Sequence, residues 1–415
     1  MSKRLSFRKN FLYTLAGSAV YCGCLWLMLM SMTKVLAVEE VGVFVLASAI
    51  TTPIQMFTNL QLRAVQGSDV KNEYCFGEYF ALRIITVFVL LVVSMIISVF
   101  LQKGTHMLQV MFAVVLYKCA DSYADNAYGL LQKYERLDRV AISRITRGII
   151  GSAVFMAILW PTKSLVLGFL GVSVAWAVIY ILLDISLVRQ FERPKPIFKM
   201  NRLVKLTAIS LPLGVTMTIV SLNSGIPRYF TEKYLGSEQL GYFGALAYVV
   251  AMIRIAADAV CTSALPRLSR YYIENIRGYV KLLVKTVIIA VFIGLCGVLF
   301  GLIGGSRFIA IAYKSDYAEY SNLFVWLLAA AGVAYIGSML CVGLTAARLF
   351  KAQVPLFIIV TLVTMLMSWI LIPRFGILGA AWATLAGAAT TTIGASIIIT
   401  WNMMFHVNHK GVKNE

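Results

Sequence analysis

Apolar runs of about 20 residues recur along the whole chain, separated by short polar connections. That recurrence restricts the fold more than any other feature. A run of this length crosses the hydrocarbon of a bilayer as a helix. Lipid offers backbone polar groups no partners, so only helices and closed barrels span it. The runs are continuous rather than alternating, which selects helices over a barrel. Composition agrees: 60% of the 415 residues are hydrophobic and 13% charged, with mean hydropathy +0.83. A soluble domain carries about 25% charged residues.

The expected spans are about 11–33, 41–65, 80–101, 107–130, 141–160 and 165–187, then 206–226, 241–265, 282–303, 322–346, 354–372 and 377–401. No connection is long enough for a soluble domain. The first run follows Lys3, Arg4, Arg8 and Lys9, as a signal peptide would. Its length and the span that follows at once mark it as a retained helix. Of the 37 Lys and Arg residues, about 24 fall on the face shared by both termini, which the positive-inside rule puts in the cytoplasm. These include Arg189, Arg193, Lys195, Lys199, Arg202 and Lys205 of the central loop. That face accounts for most of the net charge of +19; its Lys and Arg meet anionic lipid heads, and no nucleic-acid partner is needed. The seven cysteines form no Cys-x-x-Cys pair and no metal spacing. His106, His406 and His409 fall in loops or the tail, without a zinc arrangement. No cofactor and no metal are expected.

The chain reads as a tandem repeat. Residues 34–44, KVLAVEEVGVF, match 233–243, KYLGSEQLGYF, at a constant offset of 199. Lys34, Leu36, Glu39, Gly42 and Phe44 recur as Lys233, Leu235, Glu238, Gly241 and Phe243. An offset near half the chain, with six spans per half, implies parallel repeats related by an axis along the membrane normal. The expected fold is all-α and integral to the membrane, with about twelve transmembrane helices in two parallel six-helix bundles, 1–195 and 196–415.

Charges inside spans carry the functional signal, because each costs about 2.5–3.5 kcal/mol to insert and so faces protein or water. Lys118, Asp121 and Asp125 share one face of the fourth span. Arg254 and Asp258 form an i, i+4 pair on the eighth. Lys118 with Asp121, and Arg254 with Asp258, read either as structural ion pairs or as ligands. Arg144 and Arg147 share a face of the fifth span, and Arg147 has no acid at i±3 or i±4. Arg83 and Asp184 lie nearer the cytoplasmic ends of their helices, and for Arg83, Arg144 and Asp184 snorkelling to the interface is the bland alternative. Basic residues outnumber acids, which suits a phosphate or diphosphate group over an organic cation. Asp121, Asp125, Asp184 and Asp258 are candidate sites for a coupling proton or sodium ion. Gly379, Ala383, Gly387, Thr391 and Ala395 form a small-residue stripe that reads as packing.

Four segments sharpen the reading: QLRAVQGSDVKNEYCFGEYFALRI at 61–84, YGLLQKYERLDRVAISRITRG at 128–148, IPRYFTEKYLGSEQLGYFGALAY at 226–248 and LIPRFGILGAAWATLAG at 371–387. Together they resemble the bacterial capsular and O-antigen repeat-unit flippases of the multidrug/oligosaccharidyl-lipid/polysaccharide exporter superfamily. The resemblance implies alternating access between two six-helix bundles. It also implies a polyprenyl-diphosphate-linked oligosaccharide as cargo, moved from the inner to the outer leaflet of the bacterial cytoplasmic membrane. Membrane lipids and polysaccharide assembly proteins are the further partners it implies. Within the matched segments, Arg63, Arg83, Arg144, Arg147 and Arg228 are the candidate cargo contacts; Lys118 and Arg254 join them on the membrane-charge argument alone. The peptidoglycan-precursor flippases of the superfamily carry two further C-terminal helices, so their cargo is not the expected one. An enzyme is not expected: Asp316 and Glu319 of the outer loop, beside Arg307 and Lys314, form no catalytic constellation.

Overall fold

The computed structural model describes residues 7–69, 73–101, 104–347 and 349–411. Among these, every regular element is helical. The N-terminal part comprises α1 (Phe7–Val35), α2 (Val38–Asn59), the short α3 (Leu62–Ser68), α4 (Phe76–Phe100), α5 (Gly104–Lys133), α6 (Leu137–Thr162) and α7 (Leu165–Ile179). A π-helical turn, Tyr180–Asp184, joins α7 to α8 (Ile185–Arg189). Then follow α9 (Met200–Glu274), α10 (Ile276–Ala312), α11 (Ser321–Ala346), α12 (Phe350–Phe375) and α13 (Ile377–Gly411).

Ten stretches among the described residues are long and apolar enough to cross a membrane. One of them, Met200–Arg254, is 55 residues long and is broken at Gly236, whose φ of 84° no helix contains. It supplies two crossings. The helix missing from the ten is α5, which is long enough but carries Lys118, Asp121 and Asp125. Adding it yields the twelve expected spans. Large apolar side chains point outward along them, among them Phe100, Leu182, Ile303 and Ile311. A water-soluble surface would not carry so many, whereas lipid is their natural solvent. The chain is a multi-pass membrane protein.

Contacts divide the chain into two compact units, Met1–Gly225 and Ile226–Glu415. The first unit keeps the opening of α9, because Gly214 packs on Leu60 and on the carbonyl of Phe57. Its hub is the charged helix α5, which touches α2, α3, α4, α6 and α7. Residues 192–202 strap the mouth of α4. The Phe76 amide donates to Glu192, the Ile197 amide to the Gly77 carbonyl, and Arg202 pairs with Glu78 at 2.6 Å. In the second unit, α10, α11, α12 and α13 pack in sequence, and α11 also meets α13. The small-residue stripe of α13 lies in these contacts: Gly387 faces Thr364, and Thr391 faces Gly337. The repeated segments break their helices in one register. Ala37 is the extended residue before α2, and Gly236, 199 positions on, is the break in α9.

Candidate functional site

The intramembrane charges of the first unit gather around α5. Lys118, Asp121, Asp125 and Tyr128 succeed one another on one face of that helix, at near-helical spacing. Lys118 donates to Thr52 at 2.6 Å and to Gln55 at 3.3 Å. Gln55 in turn reaches Ser122 at 3.4 Å. Asp121 accepts from the Tyr21 hydroxyl at 3.4 Å. One further turn along, Asp125 lies 3.6 Å from Arg63 and 3.7 Å from Arg83.

Three guanidinium groups therefore converge in this region. Arg63, on α3, donates its Nε to Gln132 at 3.0 Å and lies over the Tyr128 ring at 5.6 Å. Arg144, on α6, lies over the same ring at 5.6 Å and donates to Ser18 at 2.9 Å. Arg83, on α4, is fully buried and donates to Asn59. Each arginine is brought by a different helix, and Tyr128 holds two of them by cation–π attraction. The Tyr128 hydroxyl is fixed by Ser143 at 2.8 Å. Arg63, Asp125, Arg144 and Asp121 each keep some accessible surface. Arg63 and Arg83 share one carboxylate, Asp125, and Arg144 adds a third guanidinium over the Tyr128 ring, so with Asp121 counted three cations still exceed two acids and an anion is favoured there.

Arg147 is different, although it sits one turn from Arg144. It is 1% exposed and its Nη2 lies 3.0 Å from Asp184, which is itself fully buried. It also donates to the carbonyls of Ala120 and Trp176, while Trp176 returns a bond to its own carbonyl. The partner acid is 37 residues away, on the π-helical turn. It lies outside α6, beyond the i±3 and i±4 neighbours of Arg147. A π turn inserts a residue into the helix and re-aims the side chains around it. Asp184 is likewise buried, not snorkelling.

In the second unit, Arg254 is exposed on α9 and Arg228 is half-buried on the same helix. The side chain of Asp258 lies outside the described residues, as do those of Lys3, Arg4, Arg8, Lys9, His406 and His409. A groove of about 410 Å³ is lined by Phe230, Lys233, Leu362, Met365, Leu366 and Trp369. One lysine among apolar walls suits a hydrocarbon chain better than a saccharide. No described group of three or more His, Cys, Asp and Glu side chains is arranged to hold a metal.

Residues 7–272 match the family model described as polysaccharide biosynthesis protein. The chain belongs to this family. A curated relative, the capsular polysaccharide biosynthesis protein CapF of Staphylococcus aureus, is 27% identical over 381 residues, covering 90% of this chain and 94% of the relative. Among solved structures, lipid II flippase MurJ in an inward closed conformation aligns with a TM-score of 0.75 at 13% identity, covering 94% of this chain and 87% of that one. An inward-facing multidrug resistance MATE family transporter of the MOP superfamily aligns with a TM-score of 0.66 at 12% identity, covering 97% and 96%. This member of the polysaccharide biosynthesis family thus has the membrane transporter fold of the MOP superfamily, the superfamily that the four sequence segments resemble. Residues that motif reading passed over complete its charged face: Tyr128, Tyr21, Ser18, Asn59 and Gln132. Tyr128 had a readable signal, standing three positions after Asp125 on the charged stripe of α5.

Proposed function

We propose that the protein is a flippase that carries polyprenyl-diphosphate-linked oligosaccharide repeat units from the inner to the outer leaflet of the cytoplasmic membrane by alternating access. The observation that carries this reading is the convergence of Arg63, Arg83 and Arg144 on Asp125 and the Tyr128 ring. A positive excess within the spans, with accessible surface kept at Arg63 and Arg144, is what a diphosphate needs. Each charge-assisted contact contributes about 1.5–3 kcal/mol. The family assignment and the CapF relative supply the saccharide. Both termini face the cytoplasm in this reading, and 1–195 and 196–415 are the two repeats. Arg254 and Lys118 are further cargo contacts, and the coupling proton or sodium ion uses one of Asp121, Asp125, Asp184 and Asp258. Arg147, neutralised by Asp184, contributes chiefly by holding α6 against the π turn.

The test is translocation of a fluorescent lipid-linked oligosaccharide in proteoliposomes. Arg144→Gln should lower flipping by about 10-fold or more at unchanged membrane abundance. Arg144→Lys should recover it only partly, since the planar fork is lost. Wild-type protein that moves no lipid-linked saccharide would end the proposal.

A further inference from the structure

Asp125 stands between two arginines at distances that satisfy charge but not hydrogen bonding. Its carboxylate oxygens lie 3.6 Å from Arg63 and 3.7 Å from Arg83. A charge-assisted N–H···O bond is about 2.7–2.9 Å long. Arg83 shows the consequence. It is 0% exposed, yet its Nε and Nη2 have no hydrogen-bond partner, and only Nη1 is engaged, by Asn59. A buried guanidinium with two idle donors is costly to leave so. Asp125 keeps 29% of its side chain accessible, and its neighbour Arg63 keeps 21%. The group is therefore neutralised in part, while two donor nitrogens of Arg83 stay unpaired beside a carboxylate that is itself part-exposed.

We infer that Asp125 is an internal competitor for the phosphate oxygens of the cargo. The inference rests on the reading above that the cargo carries a diphosphate. In the empty site the carboxylate offsets the cost of burying Arg83 beside Arg63. A diphosphate brings more oxygens and more charge, takes the idle donors of Arg83 and the outer face of Arg63, and displaces the carboxylate into the accessible space. When the cargo departs, Asp125 returns to the two arginines. That return weakens cargo binding and speeds release, since rate is gained when the bound state is not too deep.

The competition makes two demands that a merely structural Asp125 does not. In purified full-length protein titrated calorimetrically with inorganic pyrophosphate, Asp125→Asn should bind about 10-fold tighter, the equivalent of one charge-assisted bond. In proteoliposomes the same variant should flip lipid-linked oligosaccharide more slowly despite its tighter binding. Unchanged or weaker pyrophosphate binding by Asp125→Asn, with binding abolished in Arg83→Gln, overturns the competition and leaves the cationic site standing. No pyrophosphate binding by wild type or either variant removes the diphosphate reading and this inference together. If Asp125→Asn fails to fold, carbodiimide labelling of the wild-type protein decides. Saturating pyrophosphate should raise modification of Asp125, read by mass spectrometry. Unchanged or reduced modification overturns the inference.

Discussion

Arg144 and Arg147 sit one turn apart on α6, and their surroundings assign them opposite duties. Arg144 leans over Tyr128 with accessible surface. Arg147 is locked to Asp184 at 3.0 Å with neither side chain meeting solvent. Removing one partner of a buried pair strands a charge and costs about 3–5 kcal/mol, whereas removing both is far milder. Arg147→Ala should therefore lower the midpoint of thermal unfolding in detergent sharply. Arg147→Ala with Asp184→Ala should recover most of the loss. A double variant no more stable than the single one would show that Arg147 acts apart from Asp184.

At the scale of elements, close packing without large side chains joins α1 to α6. A methyl group added at Gly17 would sit 2.8 Å from the Cα of Ala141 and 2.9 Å from its Cβ. Backbone on one side cannot yield, so the helices must part. Gly17→Ala should destabilise by about 1–3 kcal/mol. Gly23→Ala, on the same helix with nothing within 4 Å, is the control and should be neutral or slightly stabilising. The loop between α3 and α4 has its own fastening. Burial alone would push the Asp69 carboxyl up, but the amides of Glu73 and Tyr74 and the Lys133 ammonium outweigh it and hold it below its ordinary value. A carboxylate with a lowered folded pKa stabilises fully above the unfolded value, about 3.9, and that stabilisation is lost as pH falls through the folded one. Hydrogen-exchange protection of the Glu73 and Tyr74 amides should therefore be high at neutral pH and decline in acid below that range. Asp69→Asn should show low protection throughout, and protection in that variant equal to wild type would refute the fastening.

For the whole molecule, orientation is the property most open to a direct check. The orientation proposed above, from the excess of basic residues on the face of the termini, has that face and the 188–205 loop in the cytoplasm. In a cysteine-free background, single cysteines at Ser164 and Ser237 should react with an impermeant thiol reagent in intact cells or spheroplasts. One at Lys199 should not; labelling at 199 alone would invert the topology. The number and class of the helices were legible from hydropathy because a backbone in lipid must satisfy its own hydrogen bonds, segment by segment. Their bounds were not, since α10 runs Ile276–Ala312 where 282–303 was expected and α2 ends at Asn59 inside the expected 41–65. The one span that a hydropathy threshold misses, α5, is missed because of the charges that make it the hub of the first unit. Those charges were legible as out of place, since any ion in hydrocarbon must be accounted for. What each ion meets was not. Asp184 reaches Arg147 from another helix through a π turn, and Arg63, Arg83 and Arg144 reach Asp125 and Tyr128 from three more. The sequence by itself determined that this chain is a stack of membrane helices with buried charge, because burial in lipid acts on each run alone. Only the tertiary structure decided which arginine is a fastening and which is available to an anion, because that depends on side chains tens of residues apart meeting across helices.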